Sequence, residues 1–291
     1  MDAMVKPRYP PGTVSAFGWI GVAGAARSLW EMAMTSMLDP KTLTLLVTGA
    51  TSGIGAATAR RFARAGARVI AVGRRTDRLA DLQAEFGARV HTAVLDTRDL
   101  AATERLVAEL PAPFRDFNVV FANAGLAMGL EPAYAAKIED WDTMVATNIN
   151  GMLYTVRATL PAMIARGEGH VVLTGSIAGD YAYPGANVYG ASKAFVKQFA
   201  LNLLADVHGT GVRVTNIEPG LTETEFSVVR FHGDQGKADN VYAGATPMSG
   251  DDIAEQVLFA CSQPRHVNIT RIQAMAAQQG FGPLALKRRP A

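Results

Sequence analysis

LTLLVTGATSGIGAATARRFARAG, residues 43–66, reads as a buried strand from Leu43 to Val47, a turn carrying Gly49, Gly53 and Gly55, and a helix ending near Gly66. Gly49 permits a tight exit from the strand. Gly53 and Gly55 let the backbone approach a dinucleotide closely, and the amides at the helix N-terminus then face its pyrophosphate. Thr51, Ser52 and Ile54 lie in the same turn and are expected to share that contact. The spacing is TGxxxGxG rather than GxGxxG.

Strand and helix patterns alternate onward from this unit. Candidate strands cover 43–48, 68–72, 90–95, 117–122, 170–175, 212–217 and 267–271. Between them lie helical patterns at 54–65, 99–110, 139–166, 188–207 and 251–261, the last with Ser249 as its cap. Such alternation demands a parallel sheet with right-handed crossovers, so the expected fold is α/β, a single Rossmann-type doubly wound sheet of about seven strands. One domain is expected over 41–291, with a mobile substrate lid around 221–249, where Gly, Thr and Asp accumulate.

Residues 1–40 stand outside this pattern. Their apolar stretch from Val14 to Ala26 is broken by Arg27 and Glu31 and is too short to span a bilayer. Lys6 and Arg8 ahead of it and AGAA behind give it a faint resemblance to an export signal. Three readings stay open: that signal, a natural start at Met34 or Met37, or an extra packing arm.

Composition narrows the function classes. Of 291 residues, 49% are hydrophobic and 19% charged, enough apolar side chains for a large core. A formal net charge of +2 gives no electrostatic footing on nucleic acid. The lone Cys261 rules out an internal disulfide and fits a reducing, cytoplasmic setting. None of the five histidines pairs with Cys, Asp or Glu at metal-ligand spacing, so no metal is required.

The chemistry rests on YGASK. Tyr189 and Lys193, four apart on one helix face, lie downstream of Ser176, which ends the apolar run HVVLTGS. A free phenol has a pKa of about 10. An ammonium at ~4 Å would lower it by at most about three units, which makes the phenol usable as an acid or base near neutrality. After the second strand, RVIAV, come Gly73, Arg74 and Arg75, with no carboxylate before Asp77. Two guanidinium groups suit a 2′-phosphate and would hold an unphosphorylated ribose poorly, so NADP is the expected cofactor.

TGATSGIG, ANAG at Ala122–Gly125, Asn148 in NING, Ser176, YGASK and the pair Pro219–Gly220 stand in the order of the short-chain dehydrogenase/reductases, which the chain resembles from Leu43 to its C-terminus. GRRTDRL, NAGLAMGLEPA, EDWDTMVATN, GANVYGASKAFVKQF and IEPGLTETEFSVVRF are similar to the NADP-dependent 3-hydroxy acid dehydrogenases, enzymes also described as serine or L-allo-threonine dehydrogenases and malonic semialdehyde reductases. The resemblance implies a catalytic set of Asn148, Ser176, Tyr189 and Lys193. Tyr189 would exchange the proton, Ser176 hold the substrate oxygen, Lys193 grip the nicotinamide ribose, and Asn148 complete a water relay from a helix that it interrupts.

It also implies that Asp96 in VLDTRD meets the adenine and that Asn123, with Ala124 and Gly125, lies at the adenosine ribose side. The first place of the usual NNAG holds Ala122 instead. Pro219, Gly220 and Thr222 would pass the nicotinamide, and Thr224 would hold its carboxamide or else cap the lid's base. Arg230 in the lid is read either as the receptor for a substrate carboxylate or as a solvated loop arginine. Tyr181 and Tyr183 are expected near the pocket, together with the aliphatic NAGLAMGL loop.

The expected reaction interconverts a small 3-hydroxy acid and its oxo acid or semialdehyde by hydride transfer. Reduction of uncharged ketones or aldehydes, and a non-catalytic NADP sensor, remain as alternatives. Family members usually form homotetramers through the two long helices here placed at 139–166 and 188–207. Phe195, Phe199 and Leu203 could face that contact or the sheet.

Overall fold

The computed structural model describes residues 36–281 and 286–288; of the expected 1–40 extension, residues 1–35, with the export-signal stretch and Met34, lie outside them. From Leu38 the chain joins the domain, as Leu38 packs on the core and its N–H bonds Ser262 O at 2.7 Å.

The elements in chain order are β1 (Thr44–Thr48), α1 (Gly53–Arg64), β2 (Arg68–Gly73), α2 (Thr76–Phe86), β3 (Val90–Val94), α3 (Leu100–Ala108), a single helical turn (Ala112–Arg115) and β4 (Val119–Ala122), short 3-10 turns aside. There follow α4 (Ile138–Met144), a π-helical segment (Val145–Gly151), α5 (Met152–Arg166), β5 (Gly169–Thr174), α6 (Asn187–Asp206) and β6 (Val212–Pro219). The chain closes with β7 (Thr222–Glu223), α7 (Phe226–Arg230), α8 (Gln235–Tyr242), β8 (Met248–Ser249), α9 (Gly250–Cys261) and β9 (Arg271–Ala274).

Seven strands make one sheet in the order β3-β2-β1-β4-β5-β6-β9, every pairing parallel. Strand β1 shows why both faces are covered. Its five residues are all buried, and alternation sends Leu45 and Val47 to one apolar layer and Leu46 to the other. The first layer gathers Phe62 of α1 with Ile253 and Val257 of α9. The second gathers Val156 and Met163 of α5 with Val196 and Leu203 of α6. Chain order reverses between β1 and β4, and an open sheet of this kind leaves a crevice there, outside the carboxyl ends of the strands.

Three expectations need correction. The last strand lies at 271–274 rather than 267–271. Asn268 occupies the earlier place with its side chain, accepting from Val214 N at 2.7 Å and donating to Val214 O at 2.8 Å, so an amide substitutes for backbone rungs. The pattern at 139–166 is broken by the π-helical turn around Asn148. The lid at 221–249 contains two helices, α7 and α8, and the β7–β8 bridges pin its two ends together.

Candidate active site

A cavity of about 360 Å³ opens where the carboxyl ends of the strands meet the lid. Gly49, Thr51, Ser52, Gly53 and Ile54 line it. Gly55 does not, because its role is in packing. A Cβ there would stand 2.3 Å from Gly49 O and 2.5 Å from Asn123 Nδ2, so the turn closes only around glycine. Ser52 takes the N-cap of α1 without a side-chain capping bond, which leaves the first amides of the helix as donors for a ligand.

The expected adenosine contacts divide once the side chains are placed. Arg74 is exposed at the cavity rim, and its charge acts on Asp96. The Arg98 hydrogen bond, more than Arg74, holds the Asp96 carboxyl below its usual range. Arg75 is already engaged within the protein: Nη1 donates to Glu225 Oε2 at 2.7 Å and Nη2 to Thr51 O at 2.8 Å. Asn123 uses its amide to tie strand ends together, donating to Thr48 O at 3.0 Å and accepting from Thr174 Oγ1 at 3.1 Å. What Asn123, Ala124 and Gly125 offer the cavity is therefore mainly backbone.

At the other end stand Ser176, Tyr189 and Lys193, all at most 9% exposed. Ser176 leaves β5 as the cap of a short 3-10 turn, accepting from Ala178 N at 3.1 Å. Lys193, one helical turn after Tyr189, donates from Nζ to Thr174 O at 2.7 Å and stands 5.9 Å from the phenol ring centroid. Burial pushes the phenol up to about 12; Tyr183 adds to the rise, while the Arg230 charge and a Ser176 hydrogen bond oppose it. Burial also brings the Lys193 amine down to about 8. Contrary to the expected lowering, Lys193 is not among the groups that shift the phenol; its Nζ faces the Thr174 carbonyl, and desolvation sets the direction at Tyr189.

Asn148 is buried in the π-helical turn and does not line the cavity. Its Oδ1 accepts from Leu126 N and its Nδ2 donates to Leu126 O, both at 2.8 Å, with Ser192 Oγ at 3.1 Å. The side chain clamps the loop that follows β4. It still comes near Lys193, for the position of a Cβ on Gly125 is 3.2 Å from Asn148 Oδ1 and 3.6 Å from Lys193 Nζ.

Pro219, Gly220, Thr222 and Thr224 line the wall beneath the lid. Thr224 Oγ1 accepts from Phe226 N at 3.2 Å, which is the capping reading of this residue. Arg230 lies inside the lid rather than in solvent. Its guanidinium is 4.9 Å from the Tyr189 ring centroid and 5.0 Å from that of Phe226, and Nη2 donates to Tyr183 OH at 2.9 Å. Its Nε is buried and makes no hydrogen bond among the described residues. Tyr181 instead packs on Phe281, ring centroids 5.6 Å apart. Glu225 and the contact of Tyr183 with Arg230 went unforeseen, and no local pattern announces either.

The residues present fit a phosphorylated dinucleotide. An open helix N-terminus beside a glycine turn suits a pyrophosphate, and the Arg74 cation at the same mouth suits a further phosphate. Among the described residues no cluster of three His, Cys, Asp or Glu side chains could hold a metal, and no helix is long and apolar enough to cross a membrane.

A nucleotide cleft and a buried hydroxyl cluster meeting at the carboxyl edge of one parallel sheet define an oxidoreductase of the Rossmann type. The chain belongs to the short-chain dehydrogenases, whose family model matches residues 43–234. It is 52% identical over 245 residues to an NADP-dependent 3-hydroxy acid dehydrogenase of Salmonella typhi, covering 84% of this chain and 99% of that one. Against serine 3-dehydrogenase of Agrobacterium fabrum the identity is 49% over 238 residues, or 82% and 95% of the two chains. The closed form of a serine dehydrogenase complexed with NADP+ superposes with a TM-score of 0.82 at 48% identity, covering 85% of this chain and all of that one.

Proposed function

We propose that this chain is an NADP-dependent dehydrogenase of small 3-hydroxy acids of the serine, allo-threonine and 3-hydroxypropionate type. The observation that carries the substrate class is Arg230. A guanidinium held against the Tyr189 ring, with a buried Nε left to donate, is equipped to receive a carboxylate next to the reacting oxygen. The names of the relatives support the same class.

Bound NADP(H) supplies or accepts the hydride at its nicotinamide. The glycine turn from Gly49 to Ile54 would hold its pyrophosphate and Arg74 its 2′-phosphate, with Lys193 placed for the nicotinamide ribose. In reduction Tyr189 gives a proton to the carbonyl oxygen while Ser176 donates a hydrogen bond to it. In oxidation the phenolate recovers that proton. Asn148 positions the loop at Leu126 and the floor beside Lys193.

A homotetramer completes the reading, supported by apolar side chains exposed on the long helices, including Ile164, Phe195 and Leu201. Light scattering on the purified protein checks it. A cytoplasmic site of action accords with the NADP chemistry and with the unpaired, buried Cys261.

The test is NADP reduction measured against L-serine, both threonine diastereomers, 3-hydroxypropionate and 3-hydroxyisobutyrate, with uncharged alcohols in parallel. Turnover of one or more acids with saturation that depends on the carboxylate is expected. Turnover of uncharged alcohols alone would replace this reading by the ketone or aldehyde reductase, which the apolar liners Leu126, Phe226 and Val229 would suit.

A further inference from the structure

Glu225 sits between two functional regions of the cleft. It is the N-cap of α7, the helix that ends in Arg230, and it follows Thr224, whose Cβ lies 3.2 Å from the position a Cβ would take on Gly53. Its carboxylate faces two cations from the segment after β2: Arg75 Nη1 at 2.7 Å and Arg78 Nη2 at 3.8 Å. Arg75 is held in turn by Thr51 of the glycine turn, through Nη2 to the carbonyl at 2.8 Å and Nε to Oγ1 at 3.4 Å. A single guanidinium therefore links the nucleotide turn to the N-cap of the lid helix. Arg74, next in sequence, is exposed and makes no hydrogen bond among the described residues.

We infer that Glu225 sets cofactor selectivity and lid position together: by holding Arg75 it fastens the helix that bears Arg230, at the cost of placing a carboxylate where the 2′-phosphate of NADP must bind. This inference rests on the NADP and hydroxy-acid reading above. A phosphate and a carboxylate around one guanidinium repel each other, yet each is stabilised by it. Neutralising Glu225 therefore acts in opposite directions at the two ends of the cleft. Arg75 is freed for the phosphate, while the lid helix loses its charged tether.

The experiment uses the full-length protein and compares wild type, Glu225→Gln, Arg75→Ala and the double variant. Affinities for NADP and NAD are read by equilibrium titration, and steady-state constants are read with the best hydroxy acid. Because both side chains of the pair are about two-fifths exposed, the effects are modest. Glu225→Gln should tighten NADP by about threefold, leave NAD within about twofold, and raise the KM of the hydroxy acid by about threefold with kcat little changed. In the Arg75→Ala background no guanidinium is left to release and the carboxylate is no longer neutralised by it, so the same substitution should tighten NADP by a factor clearly different from that in wild type, a non-additivity that a merely structural role would not produce.

NADP and NAD affinities shifting together, or additive effects in the double variant, would overturn the inference. A wild type that does not discriminate NADP from NAD would instead sink the reading on which it rests. Should the wild type discriminate but turn over no hydroxy acid, the nucleotide titrations decide alone.

Discussion

The guanidinium of Arg230 stacks 4.9 Å above the ring of Tyr189, although the two residues belong to different helices and lie 41 positions apart. This contact puts a cation directly on the face of a buried phenol, where it opposes the effect of desolvation on the hydroxyl. The helix that carries this charge, α7, also lines the cavity through Phe226 and Val229.

Arg230→Ala should accordingly raise the KM for a 3-hydroxy acid by about 10- to 100-fold, the loss of a charge-assisted pair in a partly buried site. Simple alcohols should be affected much less. Steady-state kinetics on both substrate types checks this, and equal losses on the two would remove the carboxylate role.

Tyr189→Phe keeps the ring and its contacts with Phe226 and Arg230 but deletes the hydroxyl. Turnover should fall by at least about 1,000-fold while NADP binding, read by titration, stays near wild type. Activity close to wild type would rule out the phenol as the proton donor.

Arg74 and Arg75 should differ when each is changed to Ala. Arg74 is exposed and uncommitted to any hydrogen bond among the described residues, so its loss should raise the NADP Michaelis constant several-fold with little change for NAD. The Arg75 variant should also raise the KM of the acid, because Arg75 holds Glu225 of the lid. Indistinguishable variants would contradict this division of labour.

Burial brings the Lys193 amine down from 10.5 to about 8 in the folded protein. Between those values the unfolded chain binds more protons than the native one, so this residue makes the unfolding free energy rise with pH across that window. Below about pH 8 its full cost, on the order of 3 kcal/mol, is present. Tyr189, pushed up to about 12 by burial, acts with the opposite sign only above pH 10. Urea unfolding of wild type and Lys193→Met at pH 7.5 and 9.5 checks the claim: the stability of wild type relative to the variant should increase with pH. A constant difference would contradict it.

Gly55→Ala places a methyl 2.3 Å from Gly49 O, a backbone atom with little room to withdraw. A loss of about 1–3 kcal/mol is expected from overpacking, along with weakened NADP binding. Thermal unfolding and a nucleotide titration read the two effects, and unchanged melting would show that the turn can open.

Much of the molecule is legible in the chain because its causes are local. Runs such as RVIAV and HVVLTGS can be satisfied only as strands covered on both faces, and three glycines between a strand and a helix admit few turns. Local readings fail where a side chain substitutes for backbone, as Asn268 does beside β6, or where one helix pattern hides a change of winding, as at Asn148. The two helices within the lid were missed for a related reason. They have only five and eight residues, too few to establish a helical period.

The sequence by itself determined the parallel sheet, the glycine turn, and the spacing that places Tyr189 and Lys193 on one helix face, since these follow from backbone sterics and periodicity within a few residues. Only the tertiary structure decided that burial raises the phenol, that Arg230 covers it, and that Arg75 is bound to Glu225, 150 residues away. Desolvation and charge pairing depend on which distant segments the fold brings together, and no stretch of chain carries that information alone.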